Sequence, residues 1–312
     1  RGFATAQVFM AGGVPEVMLH LRRMGLLNGR VLTATGDTLD ATLDWWEGSD
    51  RRRAARARLA SAAAVDPDHV IMGPDAARHA GLKSTMVFAR GNLAPLGSVI
   101  KATAIDPSVI DADGVYRHRG PARVFTDEHE AIEAVKGTSG TPVRDGDVIV
   151  LIGMGPSGTG MQETAQITTA LRYLPWGKRV ALVTDGRFSG FSSGACIGHV
   201  GPEALDDGPI GRVRDGDLIE IEIDRTTLAG TVALVGAEGV PLDAEACGAL
   251  LRDRSRHPGL RPHERLPDDS RLWAALQRAS GGTWAGCVYD VDRIVTALDE
   301  AAAARRAREE RP

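Results

Sequence analysis

The densest run of residues able to do chemistry is Gly153 to Gly160 (GMGPSGTG), followed by Met161, Gln162 and Glu163. It follows the apolar run Val148 to Ile152 and precedes a segment of helical character, Met161 to Tyr173. Glycines allow positive φ and close backbone approach, and a helix N-terminus offers unpaired N–H groups, so this loop is expected to dock an anion. The next apolar run, Arg179 to Thr184, ends in a second polar turn, Asp185 to Gly190 (DGRFSG), which carries an acid, a base and a hydroxyl. Loops at the carboxyl ends of strands form the ligand crevice of α/β sheets, so the two turns are expected to face one pocket.

Two chemistries compete for these residues. Gly153, Gly155 and Gly158 satisfy G-x-G-x-x-G, and Asp185 closes the next strand where a ribose-binding acid is expected, which suits an NAD(P)-dependent oxidoreductase. Pro156 within the loop and Arg187 and Ser189 on the second turn count against it, and no Lys follows the glycines as a P-loop requires. The other reading joins Glu163, Asp185, Arg187 and Ser189 into a hydroxy-acid site, with Glu163 as a hard oxygen ligand for Mg²⁺, Arg187 near a substrate carboxylate and Ser189 transferring a proton. A serine hydroxyl is a poor base, so this assignment demands a cation or Lewis acid beside it. Plainer roles remain open: a Glu in a first helical turn is more often a cap, and a Ser between Phe and Gly more often a turn hydroxyl. A non-catalytic binding module is the third alternative.

Other polar residues carry weaker signals. Cys196 beside Ile197 reads as core rather than as a nucleophile partnered by His199, which either contacts substrate or caps a turn. Asn92 and Lys101 sit in Gly/Pro surroundings where turn chemistry is the default, and Trp284 and Tyr289 are expected to pack the tail on the body.

The elements that must position these residues are mixed. Residues 5–27 have helical spacing with a start at Gly12–Gly13 before Pro15, Gly29 to Gly36 reads as a short strand or extended piece, and Asp37 to Trp46 as a helix. Arg51 to Ala64 is Arg/Ala-rich, and Arg51–Arg53 read as a solvated helix face or linker rather than an anion patch. From Ser84 onward, strand-like runs at Thr85–Ala89, Ser98–Ala102, Ala122–Phe125, Val148–Ile152, Arg179–Thr184, Leu218–Ile223 and Thr231–Val235 alternate with helices at Asp127–Lys136 and Met161–Tyr173. The class is therefore α/β. Val143–Ile149 (VRDGDVI) recurs as Val213–Ile219 (VRDGDLI), which reads as two similar turn-into-strand corners rather than a duplication. The chain closes with an Arg/Pro/Asp-rich stretch from Asp253, a helix from Arg271, an extended piece at Thr283–Tyr289 and a helix from Asp290, together expected to form a peripheral tail.

Composition bounds the function. The 312 residues are 43% hydrophobic and 25% charged, enough for one large core or two ordinary ones, and the net charge of -4 offers no general attraction for nucleic acid or anionic lipid. No apolar run approaches the ~20 residues that span a bilayer. Three scattered cysteines, Cys196, Cys247 and Cys287, fit a reducing cytoplasmic compartment, and a start at Arg-Gly without Met suggests a segment of a longer polypeptide.

The ordered motifs Gly155–Glu163 (GPSGTGMQE), Thr184–Gly190 (TDGRFSG), Gly198–Ala204 (GHVGPEA), Gly208–Ile210 and Asp215–Asp217 resemble the C-terminal half of the dihydroxy-acid dehydratase and phosphogluconate dehydratase family. Ala11–Pro15, Thr33–Leu39 and Gly91–Pro95 extend the resemblance over nearly the whole chain, and Gly194–His199 with Ser280–Asp290 resembles the sugar-acid, D-xylonate type of branch. The resemblance implies dehydration of a 2,3-dihydroxy sugar acid, a pentonate such as D-xylonate, to a 2-keto-3-deoxy acid. It implies Ser189 as the base, Arg187 and Asp185 as catalytic support, Glu163 as a Mg²⁺ ligand, and substrate contacts at Ser192, Ser193, His199 and Gly158. Phe191 stands where relatives can carry a small or hydroxyl residue, which shifts a substrate contact. The implied fold is a swivelling β/β/α barrel-like domain over residues 80–250, preceded by the end of an α/β/α domain (1–79) and followed by a helical tail (251–312). An iron–sulfur cluster, 2Fe–2S or 4Fe–4S, is implied with ligands upstream of Arg1. None of the three cysteines matches a cluster position, so the chain is expected to be inactive without its missing N-terminal half. A homo-oligomer is also implied.

Overall fold

Strand β7, Leu218–Asp224, alternates Ile219, Ile221 and Ile223, all fully buried, with outward Glu220 and Glu222. That period of two is what a strand needs to cover a core on one face. In the computed structural model, which describes residues 3–80, 82, 85–286 and 288–309, this strand belongs to a sheet that closes on itself. The strands are β1 (Met86–Arg90), β2 (Gly97–Lys101), β3 (Val115–Phe125), β4 (Val148–Leu151), β5 (Ala181–Thr184), β6 (Ala195–Gly201), β7, β8 (Ala229–Ala237) and β9 (Val240–Pro241). Their order is β1-β2-β6-β5-β4-β3-β7-β8, and β8 returns to pair with β1, so eight strands form a closed barrel while β9 adds to β8.

The barrel is filled by side chains rather than hollow. Val87, Ile100, Val148, Val150, Val183, Ile197, Ile221 and Val232 meet inside it, as expected of a barrel this small. β3, β4, β5 and β6 run parallel, and β4 and β5 are buried on both faces. Their outer residues Ile149, Leu151 and Leu182, with Cys196 of β6, lie under helices α7 (Glu128–Lys136) and α9 (Gln166–Arg172), which contribute Ile132, Val135, Ile167 and Leu171. The two repeated corners are near-identical: Asp147 accepts from the Arg144 amide and Asp217 from the Arg214 amide, each at 2.8 Å, with Gly146 and Gly216 at positive φ.

The chain divides into two compact units, residues 3–82 and 85–309 among those described. The first holds six helices, α1 (Thr5–Ala11), α2 (Gly13–Arg23), α3 (Leu39–Gly48), α4 (Asp50–Ala63), α5 (Pro67–Val70) and α6 (Pro74–His79). Glu16, only 2% exposed, is held by Arg52 at 2.6 and 2.7 Å, so one member of the arginine run expected to be solvated instead neutralises a buried acid. The second unit adds α8 (Pro156–Thr159), α10 (Ala244–Asp253), α11 (Asp268–Ala279) and α12 (Val291–Glu309).

Several expectations need correcting. Gly29 to Gly36 is turn-rich, with a single bridge between Leu32 and Thr38, because no neighbouring strand extends the pairing. The helix expected from Met161 begins only at Gln166, and Thr283–Ala285 is a 3₁₀ turn, not an extended piece. The tail is not peripheral either, since Trp284 and the stretch from Gly259 to Arg265 lie against the strand ends. Cys287 falls outside the described residues. No helix among the described residues is long and apolar enough to cross a membrane.

Candidate active site

The glycine loop after β4 does dock anions, but they are the protein's own. Asp185, at the end of β5 and 1% exposed, accepts from the amides of Gly153 (3.2 Å), Met154 (2.8 Å) and Ala204 (2.9 Å). Glu203 accepts from Ser157 twice, from its amide at 3.0 Å and from its hydroxyl at 2.7 Å. The amides of Gly158, Thr159 and Gly160 bond within the loop itself. Two side chains from β5 and from the turn after β6 thus supply the negative charge that the backbone N–H groups call for. A Cβ on Gly155 would run into the Glu203 carboxylate and one on Gly158 would overlap the Gly153 carbonyl, so these glycines serve close packing. Gly158 is buried, and its carbonyl accepts from the His263 amide.

This arrangement overturns the dinucleotide alternative. The acid expected to hold a ribose is buried and committed to three amides, and the loop N–H groups expected to hold a pyrophosphate are already bonded.

Burial also sets the protonation of the clamp. It pushes Asp185 above the usual carboxylate range against three opposing amide bonds, and it pushes Glu203 up to about 7, with Asp185 adding repulsion and Ser157 opposing. A raised acid pKa means the folded state holds the proton more tightly than the unfolded chain. Glu203 therefore contributes stability that is full below pH 4.5, its ordinary value, and is lost as pH rises through about 7. The melting temperature of the wild type is expected to fall relative to that of Glu203→Gln over this window; parallel curves would remove Glu203 as the cause.

The second turn is registered on the first. Glu163 and Arg187 form a parallel β-bridge, with the Arg187 amide and carbonyl bonded to Gln162 and Thr164, and Arg187 Nε donates to the Met161 carbonyl at 2.9 Å. Residues paired in a bridge carry their side chains on one face. Glu163 is exposed and makes no hydrogen bond or ion pair among the described residues. The bridge is what delays α9: Thr164 bonds Arg187 instead of starting a helical turn.

Ser189, 8% exposed, follows two residues on, and its Oγ accepts from the Phe191 amide at 3.3 Å. Lys101, at the end of β2, donates from Nζ to the Gly190 carbonyl at 2.8 Å, which puts an ammonium beside the Ser189 turn. Ser192 is buried and turns its hydroxyl inward beside Cys196, whose thiol is pushed up to about 12 by burial. Ser193 accepts from Arg172 Nε at 3.2 Å, and the Phe191 ring is 90% exposed.

His199 neither caps a turn nor lies in regular strand. β6 carries one extra residue opposite β2 between Gly198 and Gly201, and His199 adopts φ 55° within that bulge. This backbone costs a non-glycine residue about 1–2 kcal/mol, and bulges of this kind re-aim a side chain. The imidazole meets Phe188 edge-on at 6.1 Å, and burial together with the Arg187 charge holds its pKa below the ordinary value.

Glu203 and Lys101 are the residues that sequence reasoning missed or left to turn chemistry. The only signal for Glu203 was its place in GHVGPEA. A cavity of about 640 Å³ lies on the other flank of the loop, between Met154, Gln162, Glu128 and the Arg261–Arg265 stretch.

The described residues do not fit an iron–sulfur cluster: Cys196 and Cys247 are buried on separate elements, and burial raises both thiols away from the thiolate that a cluster needs. No three potential metal-ligating side chains converge among the described residues, so the fit to Mg²⁺ is that of one carboxylate, Glu163.

Residues 73–238 match the dihydroxy-acid/6-phosphogluconate dehydratase C-terminal family, and the chain belongs to that family. It is 54% identical over 295 residues to the D-xylonate dehydratase YagF of Escherichia coli (strain K12), covering 95% of this chain and 45% of that protein. To the D-xylonate dehydratase YjhG of the same organism it is 55% identical over 297 residues, 94% of this chain and 45% of the relative. A dihydroxy-acid dehydratase of Halothermothrix orenii is 40% identical over 222 residues, 71% of this chain and 35% of the relative. The chain thus spans under half the length of the D-xylonate dehydratases it matches.

Proposed function

We propose that this chain is the C-terminal part of a sugar-acid dehydratase that converts a 2,3-dihydroxy acid of the pentonate type, such as D-xylonate, to a 2-keto-3-deoxy acid. The observation that carries this reading is the identity of 54 and 55% to two D-xylonate dehydratases across nearly the whole chain, against 40% over 71% for the dihydroxy-acid dehydratase.

Ser189 is the base in this reading. Its oxygen, as alkoxide, takes the C2 proton; the C3 oxygen leaves with its bonding pair, is protonated to water by the serine, and the enol ketonises. Lys101, bonded to the carbonyl one residue on, favours negative charge at that oxygen. Arg187, anchored through Nε, keeps its remaining N–H groups for the substrate carboxylate. Asp185 acts as a positioning residue that holds the glycine loop against the serine turn. A Mg²⁺ on Glu163 would neutralise and orient the acid's oxygens. Substrate contacts are assigned to His199 and Ser193, with Gly158 and Ser192 shaping the walls from within.

In this reading the swivelling β/β/α domain corresponds to the barrel, and the first unit to the end of the cluster-binding α/β/α domain. Exposed Phe9, Val14, Leu32 and Trp45 on that unit suit a surface covered by the other half of the enzyme. The cluster, its cysteine ligands and a homo-oligomeric assembly belong to the full-length protein. The test is the full-length protein incubated with D-xylonate and other aldonates, with 2-keto acid as readout. Release of a 2-keto-3-deoxy acid from a pentonate is expected, and turnover only of a branched 2,3-dihydroxy acid would overturn the sugar-acid reading.

A further inference from the structure

The tail from Ser280 to Gly286 does more than cover the barrel end. Ser280 is buried, its hydroxyl accepts from the Asp290 amide at 3.0 Å, and Gly282 and Gly286 take positive φ on either side of the 3₁₀ turn that carries Trp284. The indole lies over Gly97 and Gly201, where a Cβ would collide with the ring, and meets Phe88 edge-on at 6.2 Å. Its Nε1 donates to the His199 carbonyl at 2.8 Å, while the His199 amide donates to the Gly186 carbonyl at the same distance. The strained residue of the β6 bulge is therefore gripped at both ends, once by the tail and once by the Asp185–Gly190 turn.

A bulged residue at positive φ persists only where its surroundings over-determine it. The residues that do so here are bare glycines on two strands and an indole delivered by the tail, which both packs on the barrel end and bonds the His199 carbonyl.

We propose that Trp284 is a positioning residue of the active site: by bonding the His199 carbonyl it fixes the bulge that holds the imidazole against Phe188, the neighbour of Arg187, and so sets how tightly the hydroxyls of a sugar acid are held. The inference rests on the function proposed above for its substrate, but not for its geometry. Through it the C-terminal segment becomes part of substrate recognition.

The experiment uses the full-length protein. Trp284→Phe keeps an aromatic ring over Gly97 and Gly201 and removes only the N–H donor. It is expected to raise KM for the pentonate about fivefold, the worth of one hydrogen bond, with kcat changed less than about twofold. Diethyl pyrocarbonate should modify His199 several-fold faster in this variant, as read by peptide mass. Tyr289→Ala, three residues beyond Gly286 and half exposed, should change neither quantity. Unchanged KM and unchanged His199 reactivity in Trp284→Phe overturn the inference, as does a fall in kcat that merely tracks a lower melting temperature. A wild type that dehydrates no sugar acid overturns the proposed function instead, and the His199 modification rate then still decides whether Trp284 holds the bulge.

Discussion

Ser189→Ala in the full-length protein is expected to lower turnover of the sugar acid by a factor on the order of 10²–10⁴, the usual contribution of a positioned proton-transfer group. The change removes one oxygen from a side chain that is already 8% exposed and that, among the described residues, takes part in the fold through one long bond from the Phe191 amide. Folding should therefore be nearly unaffected, and iron content and cluster absorbance should match the wild type. Because Lys101 bonds the Gly190 carbonyl rather than the serine itself, its ammonium stays in place in the variant and offers no substitute base. Near-normal turnover would remove Ser189 from its assigned role while leaving the family membership untouched.

Asp185→Ala should produce the largest loss of stability. Three buried amides, from Gly153, Met154 and Ala204, lose their acceptor at once, and each unsatisfied buried donor costs about 1–3 kcal/mol. Relief from burying an acid offsets part of this, since burial alone already disfavours the Asp185 carboxylate. A net loss of roughly 3–5 kcal/mol and a melting temperature lower by about 10 °C are expected. Asp185→Asn should fall between, because one amide oxygen can still accept while the NH₂ group faces a donor. Thermal unfolding of the three proteins checks this. An alanine variant that melts with the wild type would show that solvent or a neighbouring group satisfies those amides, and the clamp would lose its structural meaning.

What the sequence disclosed depended on how locally each element is determined. β4 (VIVL), β5 (ALVT) and β7 (LIEIEID) announce themselves by apolar density or strict alternation. β6 (ACIGHVG) does not, because two glycines, a histidine and an alanine dilute its β propensity, and its pairing is imposed by β5 and β2 on either side. The first half of β3 is equally hidden, with Arg117, His118, Arg119 and Gly120 reading as a loop until they pair with β7. The same rule separates the site residues. The motifs brought Glu163, Asp185, Arg187 and Ser189 to notice, but the partner of Ser157 lies 46 positions away at Glu203, and that of His199 lies 85 positions away at Trp284. Neither pairing leaves a periodic trace along the chain.

Closure of the barrel has a consequence for assembly. A sheet whose first and last strands hydrogen-bond to each other offers almost no unpaired backbone to an incoming chain. Apart from the two-residue edge of β9, another polypeptide would recognise this unit through side chains and loop tips, such as the outward Phe191 ring, rather than by lengthening its sheet. Binding of that kind depends on surface shape, so two separately produced halves of such an enzyme could be recombined in solution without the strand-to-strand cross-pairing that drives open sheets into aggregates.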